Sequence, residues 1–131
     1  MKSGQRERAV RVGRFALAHA KRVKSLVGEA RILALLGELH EAAGESAEAE
    51  ASRQEALAIF RRLGDRKSTA EVLLVDAQIA LGRKSAGSDT LDRLEEAARL
   101  AAQVDWREGV QESAKVVDQV VRTQSGSTPP T

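Results

Sequence analysis

Residues 30–66 read ARILALLGELHEAAGESAEAEASRQEALAIFRRLGDR, and this stretch decides the fold. Leu33, Leu36, Gly37 and His40 share one face of a helix over about 28–43, at the i, i+3, i+4, i+7 spacing. Gly44 ends that helix, because a left-handed residue just past a helix costs glycine little. A second helix, about 47–63, repeats the spacing with Ala56, Ile59, Phe60 and Leu63, and Gly64 closes it. The segment is thus a helix, a glycine turn, a second helix and a Leu63-Gly64-Asp65 exit.

The same reading extends in both directions. Ala16, His19, Ala20 and Val23 mark one face of a first helix, about 5–24. A fourth begins at Ser68 or a few residues earlier, where Ser68 and Glu71 match a capping box. Its inner face is Ala70, Leu73, Leu74 and Ala77, and Gly82 lies near its end. A polar segment, 83–88, leads to a fifth helix over about 89–104 with Leu94, Ala97, Ala98 and Ala101 inward. Asp105 is placed to cap a sixth, with Glu108 completing a second box-like pair. That helix carries Val110, Ser113, Ala114, Val117, Val120 and Val121. No segment sustains a period of two, so no strand is expected. Both prolines lie in the tail 125–131 (SGSTPPT), which is too polar to fold and is expected to be disordered. Residues 1–124 are read as one domain.

Composition narrows the function classes. The chain has 131 residues, no Cys and no Tyr, and its aromatics are Phe15, Phe60 and Trp106. Absence of Cys excludes disulfides, thiolate metal sites and a Cys nucleophile, and it fits a cytoplasmic protein. No apolar run approaches the roughly 20 residues of a membrane span, and no continuous apolar segment marks a secretory signal. Charge is uneven. Residues 1–26 carry eight basic side chains against Glu7 alone, a net +7, while 27–131 carry 13 basic and 18 acidic side chains, a net −5.

Sliding the chain by about 40 residues realigns it: Ala30 to Leu33 on Ala70 to Leu73, Ala16-Leu17 on Ala56-Leu57, and Asp65 on Asp105. Residues 30–61 resemble a tetratricopeptide repeat (TPR). Leu36-Gly37 matches its Leu-Gly pair, Gly44 its turn, and Ala49 and Ala56 its two small positions. His40 stands where the family has an aromatic, Arg53 departs from the usual aromatic between the alanines, and the closing Pro is missing. The longer exit, Phe60 to Arg66, is similar to the roughly 40-residue repeats of bacterial signalling and transcription regulators. The second unit, from Ala70 to about Val104, matches less well: Asp76 falls on Leu36 and Ala77 on Gly37. The resemblance covers about 10–120 and is specific mainly in the middle third. It implies an all-α fold of antiparallel helical hairpins stacked as a short TPR-like α-solenoid, about six helices in all.

Catalytic constellations are missing from the sequence. His19 and His40 lack partners at HxxxH or HExxH spacing and read as packed side chains. Residues 82–87 (GRKSAG) lack the GxxxxGK[ST] order, and no serine sits in a GxSxG elbow. Glu45, Glu48 and Glu50 suit a helix start. Asp76 alone interrupts an apolar pattern, as a buried, paired acid or as part of a groove. The protein is read as not an enzyme, with no cofactor and no metal.

The resemblance implies a groove lined by the first helix of each repeat. Arg31, Ala34, Glu38 and Glu41 would face it in the first unit, and Glu71, Leu74 and Gln78 in the second. Such a Glu-rich groove prefers a basic or mixed peptide. The chain has no Asn, so the family's carboxylate clamp for chaperone tails is not expected. Helix 1 adds a basic surface of Arg8, Arg11, Arg14, Lys21 and Arg22, whose readings are a solvated face, a dock for an acidic protein, or a contact for nucleic acid or an anionic membrane. The expected function is a non-enzymatic scaffold for a protein or peptide partner, a segment of a bacterial regulatory protein. The alternative is a nucleic-acid-associated regulator using helix 1, but no recognition motif supports it. No membrane partner is expected. An uncovered apolar flank on helix 1 or helix 6 would favour a homo-oligomer through the terminal helices.

Overall fold

A computed structural model describes residues 3–125. The tail expected to be disordered falls, from residue 126 onward, outside the described residues. Among the described residues six helices run in order: α1 (Ser3–Arg22), α2 (Leu26–Ala42), α3 (Ser46–Leu63), α4 (Arg66–Gly82), α5 (Ser88–Gln103) and α6 (Arg107–Gln124). No strand occurs among the described residues. The chain is all-α, and it divides into two compact units, Met1–Gly64 and Asp65–Thr131.

In the first unit, α2 packs against both α1 and α3. Glycine sets the closeness of each contact. A Cβ at Gly37 would stand 2.9 Å from Arg53 Cγ and 3.4 Å from the Ala49 carbonyl oxygen, so α3 lies directly on the bare backbone of α2. At Gly13 a Cβ would stand 2.6 Å from Leu36 Cδ2, so that leucine fills a notch in α1. The expected inner face of α2, Leu33, Leu36, Gly37 and His40, is buried throughout. On α3, Ala56, Ile59 and Phe60 are buried as expected, but Leu63 is exposed at the helix end.

Helix α1 departs from the expectation. Val10, Gly13 and Ala20 are buried and Leu17 half-buried, whereas the expected inner residues His19 and Val23 are exposed. Its sequence carries two overlapping apolar stripes, and the one with the Gly13 notch is the one that fits α2.

In the second unit α4, α5 and α6 all touch one another. Leu74, Ala77, Leu94, Val116 and Val120 form the core, with Leu81, Leu91 and Trp106 at its margin. Ala70, Leu73, Leu74 and Ala77 are all buried, as read from the sequence. On α6 the buried line is Gly109, Ser113, Val116 and Val120. The expected Ala114 and Val121 are exposed instead.

Two caps also differ. Asp65, rather than Ser68, caps α4: its carboxylate accepts from Ser68 N at 3.0 Å and from Ser68 Oγ at 2.7 Å. Asp105 makes no cap for α6. It sits at φ 56, and Trp106 takes the N-cap position without a side-chain bond. The Trp106 ring lies over Gly109, where only a bare backbone leaves room, and Lys67 Nζ stands 5.7 Å from the ring centroid.

One turn recurs. Lys24, Gly44, Lys84 and Asp105 are left-handed, and the residue after each donates its N–H to a carbonyl five residues back: Ser25 to Ala20, Glu45 to His40, Ser85 to Ala80, Trp106 to Ala101. This is the Schellman arrangement, which satisfies carbonyls that a helix end leaves open. With Gly64, also left-handed, these positions fall about twenty residues apart, half of the 40-residue shift in the sequence.

Candidate functional site

The basic helix lines a cleft of the first unit. A cleft of about 570 Å³ lies between Arg6, Glu7, Val10, Arg11 and Arg14 of α1 and His40, Ala43 and Glu45 at the far end of α2. The short α1–α2 turn makes the helices antiparallel and so brings the start of α1 to the end of α2. Val10 is buried beneath the cleft, whereas Arg11, Arg14 and Glu45 are exposed along it.

Polar groups in and behind the cleft are held. His40 is buried, and its Nδ1 lies 3.2 Å from Glu45 Oε1. A carboxylate only accepts, so the imidazole N–H donates. His40 thus occupies the packed position expected of it and ties the α2–α3 turn to α2. Behind it, buried Arg53 donates from its guanidinium to Glu41 Oε1 at 3.2 Å, while its stem crosses Gly37. Asp76 is buried too, and no buried side-chain nitrogen or oxygen among the described residues lacks a hydrogen-bond partner.

All five residues of the expected basic surface, Arg8, Arg11, Arg14, Lys21 and Arg22, are exposed. Arg11 and Arg14 line the cleft, and helical geometry puts Lys21 on the flank of Arg14. Arg8 and Arg22 share the outward face with Val12, Phe15 and His19. Arg22 donates to His19 Nδ1 at 3.1 Å, so His19 is an exposed acceptor and not the core residue expected. Arg6, Glu7, Val10 and Phe15 are not among the binding residues expected from the sequence. Phe15 carried the one available signal, a large apolar side chain amid arginines.

The expected groove is altered. Arg31 and Glu38 are exposed on one side of α2, with Ala34 half-buried beside them. Glu41 belongs to the α2–α3 interface through Arg53. In the second unit Glu71 is exposed, and Gln78 donates to Glu112 Oε1 at 3.2 Å across to α6. Leu74 cannot line a groove, because it is a core residue packed with Ala77, Leu94, Val116 and Val120.

Among the described residues no group of three or more His, Cys, Asp or Glu is placed to hold a metal ion. Among them, too, no helix is long and apolar enough to cross a membrane. Comparison with protein-family models, with curated proteins and with solved structures gives no match.

Proposed function

We propose that this chain is a non-enzymatic, TPR-like interaction module that binds an acidic segment of a protein partner through α1. The observation that carries the reading is the cleft in which Arg6, Arg11 and Arg14 outnumber Glu7 and Glu45 and stand beside Val10 and Ala43. Guanidinium groups take carboxylates in paired hydrogen bonds, and adjoining apolar surface adds contact area. A preformed cleft also limits the ordering that binding requires. The basic or mixed peptide expected for the Glu-rich groove is the weaker alternative, since Glu41 is already satisfied by Arg53. Cytoplasmic placement, which rests on the absence of Cys, and membership of a bacterial regulator, which rests on the repeat resemblance, belong to the same proposal.

The test is fluorescence anisotropy with a labelled Asp/Glu-rich peptide and its Asn/Gln counterpart. The acidic peptide is expected to bind, and Arg11→Glu with Arg14→Glu to weaken it about tenfold or more. Equal affinity for both peptides would sink the reading.

A nucleic-acid reading draws on the same exposed cations. It requires the logarithm of affinity to fall steeply with the logarithm of salt concentration. A titration with duplex DNA at two salt concentrations, repeated on Arg8→Glu/Arg11→Glu/Arg14→Glu, decides it.

A further inference from the structure

We infer that the outward face of α1 is a seam on which an acidic amphipathic helix of a partner protein docks. The inference rests on the reading of α1 as a protein-binding element and adds a second contact beside the cleft. Arg8, Val12, Phe15, His19 and Arg22 follow one another in steps of four and three residues. That is the spacing with which one helix presents a continuous seam to another. All five are exposed, Phe15 at 77% and Val12 at 67%. The seam lies on the side of α1 away from Val10, Gly13 and Ala20, so packing within the first unit makes no use of it.

The order of chemistry along the seam selects the occupant. Val12 and Phe15 make the centre apolar, His19 beside them accepts from Arg22, and a cation stands at each end. Phe15 is seven residues from Arg8 and seven from Arg22, about 10 Å each way at about 1.5 Å per residue. Arg11 flanks the centre. Glu7, the one acid of α1, is turned into the cleft. The matching partner helix carries Leu, Met or Phe at its centre and Asp or Glu about two turns to either side.

Two other occupants fit worse. A second copy of α1 would set Arg8 against Arg8 and Arg22 against Arg22 in parallel, or Arg8 against Arg22 in antiparallel register. Either places like charges opposite each other at both ends of the seam. A lipid surface favours a helix whose apolar half is segregated from its charges. Here cations and apolar residues share one line.

Three probes test the seam on the full chain. The first is a synthetic helical peptide of about three heptads with Leu at its centre and Glu one heptad to each side. The second has Lys in place of those Glu residues, and the third is a phosphatidylcholine vesicle containing phosphatidylserine. Anisotropy and vesicle sedimentation are the readouts, with circular dichroism as the folding control. The Glu peptide is expected to bind in preference to the others. Phe15→Ala should weaken it about tenfold without altering the melting curve, because Phe15 is not packed. Arg8→Glu with Arg22→Glu should reverse the preference towards the Lys peptide. Equal binding of the two peptides, preferential uptake by vesicles, or self-association that Phe15→Ala abolishes would each overturn the seam. Loss of the Glu peptide in Arg14→Glu but not in Phe15→Ala would overturn the seam and leave the arginine cleft standing.

Discussion

Lys24, Lys84 and Asp105 hold left-handed backbone at φ 58, 58 and 56, where Gly44 occupies the equivalent turn without a Cβ. An L-residue in that region costs about 1–2 kcal/mol. Part of the gain from replacing it is offset by the greater freedom glycine has when unfolded. Lys24→Gly and Lys84→Gly are therefore each expected to stabilise by about 0.5–1 kcal/mol, measured by urea denaturation followed by circular dichroism. The converse, Gly44→Ala, is expected to destabilise. A second residue-scale consequence concerns Gly37. Any side chain there must displace Arg53 or the Ala49 backbone, so Gly37→Val should cost about 1–3 kcal/mol. Arg53→Met keeps the stem over Gly37 and should cost less than Arg53→Ala, which removes both stem and ion pair. Equal costs would show that the Glu41 contact, lost in both variants, outweighs the packing.

Helix α1 shows how an element can be legible in outline and ambiguous in orientation. Its existence is plain from the sequence, and its ends, Ser3 and Arg22, lie two residues before those expected, but its packed side is not legible, because two apolar stripes meet the helical spacing. Gly13 distinguishes them, since Leu36 enters the space its missing side chain leaves. Gly13→Val is accordingly expected to lower stability by about 1–3 kcal/mol. Val12→Ala should change it by less than about 0.5 kcal/mol, as for surface positions generally. Equal effects in thermal denaturation would show that α1 packs through the other stripe. At α4 the cap is Asp65, and Asp65→Ala should cost about 1 kcal/mol, more than Glu71→Ala on the exposed surface. The sequence pointed to Ser68 because Ser-x-x-Glu is a common cap pattern. Asp65 supplies two acceptor oxygens one turn earlier, and Ser68 becomes its donor.

Across the molecule, charge is sorted along the chain, with the basic excess on the first helix and the acidic excess after it. Binding of an acidic partner to α1 should therefore weaken with salt, since exposed charges are screened beyond about 8 Å at physiological ionic strength. An anisotropy series in NaCl checks this, and salt-independent affinity would locate the binding energy in Phe15 and Val12 instead. The sequence by itself determined the six helices, the all-α class and the inward faces of α2 and α4, because helical periodicity and glycine stops are local properties. It also marked the cations of α1, whose surplus over Glu7 needs no neighbour to be seen. Tertiary structure decided which stripe of α1 and α6 was buried and withdrew Glu41 and Leu74 from the groove. It also brought Arg11 and Arg14 beside His40 and Glu45. Those outcomes depend on which surfaces meet: a notch accepts a leucine, or an arginine stem crosses a glycine, only when another helix arrives at that place.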